Sequence, residues 1–291
     1  MRINTSLREP ENESMRMSNF TGKTAYITGG SSGIGLAIGK LLAAKGASVA
    51  IFARRQDVLD QAIKEIAASK SSYSQHFLAK QLDVASRDDC ELVLPSVVAE
   101  IGAPDIIINS AGLGHPAVFE NIDYATFDKV VKINVHGTWN TISILVPYMK
   151  EKGGYIVNVS SVAGYVGIYG MAAYSSSKFA VNGLSEVLCS ELKRFNISVS
   201  VLCPPDVDTP LLERSNRIKP EETKAISATA SLMTADEVAV ALLKGMANNE
   251  FMIIPNFGGR FTYFMKRWFP GIVNYLVDSK VEAFRKKQAV K

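Results

Sequence analysis

The sequence predicts an α/β fold in which helices cover both faces of a single parallel sheet of seven strands. Two observations carry that prediction. From residue 20 onward short β-branched runs alternate with longer amphipathic stretches, and a glycine-rich turn joins the first strand directly to the first helix. No internal repeat and no second domain interrupts the alternation.

The elements follow in order. The strand KTAYIT leads into the helix IGLAIGKLLAAKG, and SVAIF leads into the helix VLDQAIKEIAAS. A serine-rich link, SKSSYS, precedes the strand HFLAKQLDV, a helix over about 88–101 and the strand DIIINSAG. A long helix over about 124–150, the strand YIVNVSS, a helix over about 172–194 and the strand ISVSVLCPP come next. FMIIPNF, residues 251–257, makes the seventh strand. Residues 1–19 are expected to form a disordered lead, 20–257 the catalytic domain and 258–291 an aromatic extension; Met15 or Met17 is an alternative start.

Composition narrows the function classes. The chain has 291 residues, 47% hydrophobic and 21% charged, enough to bury one large core or two small ones. A formal charge of +4 with dispersed basic residues argues against nucleic acid as a partner. Cys90, Cys189 and Cys203 are odd in number and lack metal-ligand spacing, and His76, His115 and His136 form no ligand pattern, so neither a disulfide framework nor a metal is expected. A reducing, cytoplasmic setting fits. No run of 18 apolar residues exists and the N-terminus is polar, so neither a spanning helix nor a secretory signal is expected.

The first strand–helix junction reads TGGSSGIG, residues 28–35. Glycines at 29, 33 and 35 permit a tight turn and close approach of a diphosphate, and the helix N-terminus directs its N–H groups at the anion. Further on, AAYSSSK places Tyr174 and Lys178 at i and i+4 on one helical face. An ammonium roughly 4 Å from a phenol attracts the phenolate by about 4 kcal/mol at an effective dielectric of about 20, and each pH unit corresponds to about 1.4 kcal/mol. The pair is therefore expected to bring a tyrosine that ordinarily titrates near about 10 down toward neutrality, making it a usable acid and base. Ser161, at the end of YIVNVSS, is placed to hold a carbonyl oxygen beside that hydroxyl, with Ser160 as its competitor.

The TGxxxGxG spacing resembles the cofactor loop of the short-chain dehydrogenase/reductase family. NSAG, residues 109–112, is similar to that family's NNAG motif, with Ser110 in place of the second asparagine. Asn134, Ser161, Tyr174 and Lys178 match its catalytic tetrad, including the thirteen-residue step from Ser161 to Tyr174. The resemblance covers about residues 20–255. It implies a Rossmann-type domain in which Lys178 also binds the nicotinamide ribose and Asn134 holds a proton-relaying water. It places cofactor contacts on Gly29, Ser31, Ser32, Gly33, Ile34 and Gly35, on Asp83 and Val84, on Asn109, Ala111 and Gly112, and on Pro204, Val207 and Thr209.

Cofactor choice is expected to be set after the second strand, in SVAIFARRQ. Ala53 stands where an acid would bind the ribose 2′-OH, and Arg54 and Arg55 follow. Guanidinium groups suit a 2′-phosphate, so NADP(H) is expected; the alternative is a solvated helix start.

After the sixth strand the family's PG is replaced by CPPDVDTP, with Pro205 at the glycine position. PPDVDTP and the following ERSNRIKPEETKAIS resemble one branch of the family, the 3-ketodihydrosphingosine reductases, which reduce 3-ketosphinganine to sphinganine with NADPH. A lipophilic ketone is the expected substrate. Nine aromatic residues between 251 and 284 agree with that. In FTYFMKRWF, Phe261, Phe264, Met265, Trp268 and Phe269 fall at helical spacing, with Lys266 and Arg267 off the stripe and Pro270-Gly271 ending the helix. The stripe reads either as a peripheral membrane contact within 258–284 or as a core or subunit contact. A homo-oligomer, dimer or tetramer, is expected. Reduction of a steroid or 3-oxoacyl compound, and a non-enzymatic dinucleotide or lipid sensor, are the competing readings; the intact tetrad opposes the sensor.

Overall fold

The computed structural model describes residues 17–228 and 231–289. Strands β1 (Thr24–Thr28), β2 (Ser48–Ala53), β3 (Phe77–Gln81), β4 (Ile106–Asn109), β5 (Gly154–Val159) and β6 (Ile197–Leu202) alternate with helices α1 (Gly33–Ala44), α2 (Gln56–Ala68), α3 (Arg87–Ile101), α4 (Tyr124–Val131), α5 (Gly137–Met149) and α6 (Ala172–Glu191). The chain continues through β7 (Val207–Asp208), α7 (Pro210–Ile218), α8 (Glu221–Ser227), β8 (Met233–Thr234), α9 (Ala235–Ala247), β9 (Met252–Ile253), α10 (Phe257–Trp268) and α11 (Pro270–Ala289).

The main sheet runs β3-β2-β1-β4-β5-β6-β9, and each neighbouring pair is parallel. The expected seven-stranded parallel sheet is therefore present. The order reverses between β1 and β4, which opens a crevice at the carboxyl ends of these strands.

Strands covered on both faces need apolar residues at successive positions, and β4, Ile106-Ile107-Ile108-Asn109, is buried throughout. Alternate side chains go to opposite cores. Ile27 and Ile51 pack with Ile38 and Leu42 of α1, Ile66 of α2 and Leu242 of α9. Their neighbours Tyr26 and Phe52 pack with Leu94 of α3 and Leu145 and Met149 of α5. Each such side chain contributes about 1.5–3 kcal/mol by leaving water. Local signals agree with the packing: Ser86 caps α3 through Asp89 N–H, and Thr234 and Glu237 form a reciprocal capping box on α9.

Several expected elements differ. The long helix over 124–150 is broken by one π turn, Lys132–His136, because the widened turn lets the buried Asn134 side chain reach sideways to Leu113 and Ser177. The apolar periodicity runs on through that turn and gives no hint of it. The seventh strand shrinks from FMIIPNF to Met252–Ile253. Residues 207–247, given no elements from sequence, supply α7, α8, α9 and a small parallel pair of β7 with β8. Of the expected lead, residues 1–16 lie outside the described residues, while Met17 N–H donates to Met246 O at 3.2 Å and Phe20 is buried.

The C-terminal stripe is split by its own helix. Met265 turns inward with Tyr263 against Tyr165, Val166 and Val273, and the Tyr165 hydroxyl donates to Gly259 O at 3.1 Å. Phe261, Phe264, Trp268 and Phe269 face outward, Trp268 being 68% exposed, and Phe257, Ile272, Tyr275 and Leu276 extend the exposed apolar surface. α10 ends before Pro270, as expected, but Pro270 then opens α11, at the first helical position where its missing N–H costs nothing. No helix among the described residues is long and apolar enough to cross a membrane.

Candidate active site

A cavity of about 680 Å³ occupies the crevice at the carboxyl ends of the strands. It is bounded at one end by Arg54 and Arg55 after β2, passes the start of α1, and reaches Ser161, Tyr174 and Lys178 at the other. Gly29, Ser31, Ser32, Gly33, Ile34, Asp83, Val84, Ala111, Gly112, Pro204, Val207 and Thr209 line it.

The turn at the start of α1 has physical reasons for its glycines. Gly29 has φ +67° and lies so close to β4 that a Cβ there would stand 2.7 Å from Ala111 N. Gly33 has φ +53°, and a Cβ on it would meet Thr209 Cγ2 at 2.9 Å. Ser32, the N-cap of α1, makes no side-chain capping bond, and the first turn holds no acid. The first N–H groups of α1 thus keep their donors for a phosphate. The residues present fit a dinucleotide: a turn of small residues at a helix N-terminus that would take a diphosphate, with Asp83, Val84, Arg54 and Arg55 lining the same cavity.

Three expected site residues do not line the cavity. Gly35 packs against the turn itself, where a Cβ would be 2.5 Å from Gly29 O. Asn109 points into the sheet and donates to Asn158 Oδ1 at 2.8 Å, and Asn158 in turn donates to Ser185 Oγ at 2.8 Å, which ties β4 and β5 to α6. Asn134 lies one layer behind the wall. Its Oδ1 accepts from Leu113 N–H at 2.8 Å and its Nδ2 donates to Leu113 O at 3.0 Å and Ser177 Oγ at 2.8 Å. A Cβ on Gly112 would lie 3.5 Å from Asn134 Oδ1 and 3.7 Å from Lys178 Nζ, so both side chains stand close to this turn.

Ser160 and Ser161 are separated by their bonding. Ser160 Oγ donates to Lys178 O at 3.3 Å, fastening β5 to α6. Ser161 faces the cavity, accepts from Ala163 N–H at 3.1 Å, and hydrogen-bonds the Tyr174 side chain. Its place is fixed from behind, since Val162 N–H donates to Pro204 O at 3.1 Å.

The Tyr174–Lys178 pair departs from expectation. Burial holds the Tyr174 phenol up at about 12, against a smaller downward pull from its bond with Ser161 and a further upward push from Asp206. Burial also brings the Lys178 ammonium down to about 8. Lys178 Nζ donates to Val159 O at 2.7 Å and stands 5.6 Å from the Tyr174 ring centroid. In both groups loss of water is the largest cause of the shift.

Beyond Tyr174 the cavity is walled by residues that sequence reasoning did not assign to the site. Ile168, Met171, Leu211 and Leu212 are apolar; Asp206, Ser215 and Lys219 are not. The signal was present in PPDVDTP, whose first acid follows directly on the paired prolines.

Comparison with known proteins agrees with this geometry. Residues 23–219 match the family model described as short chain dehydrogenase. The chain is 38% identical over 232 residues, 79% of its length and 70% of the relative's, to the 3-ketodihydrosphingosine reductase of Bos taurus. It is 34% identical over 194 residues, 66% of its length and 77% of the relative's, to the 3-oxoacyl-(acyl-carrier-protein) reductase FabG of Thermotoga maritima. A short-chain dehydrogenase/reductase from Burkholderia phymatum, solved in complex with NAD, superposes with a TM-score of 0.76 at 24% identity, covering 86% of this chain and 95% of that one. With its parallel sheet, its glycine turn and Ser161, Tyr174 and Lys178 gathered at one end of the crevice, the chain belongs to the short-chain dehydrogenase/reductase family and is an oxidoreductase that uses a nicotinamide dinucleotide.

Proposed function

We propose that the protein reduces the ketone of a long-chain lipophilic substrate with NADPH, converting 3-ketosphinganine to sphinganine. The observation that carries this reading is the extent of similarity. The match to the bovine reductase covers 79% of the chain, against 66% for the 3-oxoacyl reductase. The apolar wall of Ile168, Met171, Leu211 and Leu212 suits an alkyl chain.

When bound, the nicotinamide supplies the hydride. The chain's own residues do the rest. Ser161 holds the carbonyl oxygen beside Tyr174, and the Tyr174 hydroxyl gives its proton to the oxygen as negative charge develops there. Lys178 holds the ribose and supplies a positive charge beneath the phenol. Asn134, behind the wall, keeps Leu113 and Ser177 in place and would hold a water through which protons pass toward Lys178. Arg54 and Arg55 select the 2′-phosphate, since no acid stands at 53–55.

The exposed aromatic residues of α10 and α11 rest on a bilayer surface, with Arg260 and Arg267 exposed beside them to meet anionic headgroups. A substrate with a long alkyl chain would be drawn from that phase. The test is steady-state oxidation of NADPH with 3-ketosphinganine, 3-oxoacyl thioesters and steroid ketones compared side by side. The reading requires the sphingoid ketone to have the highest kcat/KM.

A further inference from the structure

The geometry points to a headgroup subsite for a 2-amino-1-hydroxy-3-ketone, in which the Asp206 carboxylate binds the substrate's ammonium and Ser215 binds its terminal hydroxyl. This inference rests on the substrate class proposed above. It names the residues by which the protein tells an aminoketone from a plain 3-oxoacyl chain.

The chemistry of the substrate fixes where such a recogniser must lie. The amine sits on the carbon next to the carbonyl, so a ketone held by Ser161 and Tyr174 keeps its ammonium at the edge of the catalytic niche. Asp206 is at that edge. It follows Pro204 and Pro205 in the loop whose Pro204 carbonyl fastens Val162, next to Ser161, and it lines the same cavity as Tyr174. Its charge already reaches the phenol, where it is one of the groups that keep the proton on. An ammonium bound to Asp206 would cancel that influence when the proton has to leave.

The carboxylate has one charged neighbour, which shares the cavity wall with it. Lys219, only 5% exposed, places Nζ 3.6 Å from Asp206 Oδ2 and donates to Ser227 Oγ at 3.3 Å. Among the described residues no hydrogen bond is made to either carboxylate oxygen, and an ionised carboxylate has room for about four donors. A single distant ammonium leaves Oδ1 for a ligand. The other cation on this wall, Arg214, is exposed, and among the described residues no ion pair to Asp206 is made by it.

Ser215 supplies the second contact. It is buried on α7 and comes so near the catalytic end that a Cβ on Gly114 would lie 3.1 Å from its Oγ and 3.9 Å from Tyr174 Cδ2. Ser215 thus sits across Gly114 from the tyrosine ring, and its hydroxyl makes no hydrogen bond to the protein among the described residues. An amino alcohol spanning Asp206 and Ser215 would point its alkyl chain along Leu211 and Leu212.

The experiment measures one ratio: kcat/KM for the aminoketone divided by kcat/KM for the chain-matched 1-hydroxy-3-ketone that lacks the amine. In the wild type the ratio should be roughly ten to a hundred, the worth of one charge-assisted hydrogen bond, and Asp206→Asn should bring it close to one. A wild-type ratio near one overturns the subsite without any variant, so a misfolded mutant cannot shelter it. An unchanged ratio in Asp206→Asn also overturns it. If Asp206 merely balances Lys219, the double variant Asp206→Asn, Lys219→Met would regain the wild-type ratio, and that result equally counts against the proposal. Failure of the wild type to reduce either ketone, while it turns over a 3-oxoacyl thioester, would overturn the substrate reading and the subsite together. Equal turnover of both ketones would leave the substrate reading standing and remove only the subsite.

Discussion

Lys178 donates its hydrogen bond to the Val159 carbonyl at 2.7 Å and stands 5.6 Å from the centre of the Tyr174 ring, so the ammonium lies under the phenol without bonding it. It anchors to the end of β5, the strand that leads into Ser161. One contact therefore sets the position of the lysine relative to both the serine and the tyrosine.

Replacing Tyr174 by Phe removes only the hydroxyl. Turnover should fall by roughly a hundred- to ten-thousand-fold, while the dissociation constant for NADPH changes little, because general-acid catalysis of this kind contributes that much. Stopped-flow nucleotide binding and steady-state turnover on the same preparation check it. Near-normal turnover would remove the tyrosine from the chemistry.

The lowered Lys178 value carries a pH signature. Its folded value, about 8, lies below its ordinary 10.5, so between those limits the unfolded chain binds more protons and stability gains with rising pH. Below about 8 the cost of the buried ammonium is present in full. Lys178→Met should therefore be more stable than wild type at pH 7, on the order of 2 kcal/mol, with the advantage shrinking as pH rises toward 10. Tyr174 works in the opposite direction above 10, since its folded value is raised to about 12. Denaturant unfolding of the two proteins at several pH values gives the difference directly. A constant difference would contradict the account.

Arg54→Ala should raise the Michaelis constant for NADPH by about tenfold or more and leave that for NADH nearly alone, because a guanidinium–phosphate contact is charge-assisted and only NADPH carries the phosphate. A wild type that prefers NADH would refute the assignment.

The outward aromatic face makes a physical prediction of its own. Burial of Phe264 and Trp268 in a bilayer surface contributes several kcal/mol at about 25 cal/mol per Å². Wild type should float with anionic liposomes, and Phe264→Glu combined with Trp268→Glu should not, while keeping its activity on a short soluble ketone. Dissociation of an oligomer in the variant, or a wild type that never floats, would assign this face to protein contact.

The parallel sheet was legible because strands buried on both faces must be written as apolar runs such as Ile106-Ile107-Ile108. The glycine turn was legible because glycine best tolerates the positive φ at 29 and 33, with the Ser110–Ala111 backbone close to the first and Thr209 close to the second. The π turn at Asn134 was not, since it changes hydrogen bonding without changing the apolar period. The wall from Asp206 to Ser227 was not, because α7 and α8 are short, and their cavity-facing residues are fixed by where the loop after Pro205 goes. The raised Tyr174 value escaped as well: a sequence shows the i, i+4 pair but not the water that burial removes from it.

The central claim is that the protein transfers hydride to the keto carbon of a sphingoid base while Tyr174 protonates the oxygen. NADPH carrying deuterium at the nicotinamide C4, on the transferable face, tests this most directly when incubated with 3-ketosphinganine and the product is examined by mass spectrometry. The account predicts sphinganine with deuterium on C3 in wild type and almost none in Tyr174→Phe. Unlabelled sphinganine, or no sphinganine from a preparation that oxidises NADPH with a 3-oxoacyl thioester, would contradict it.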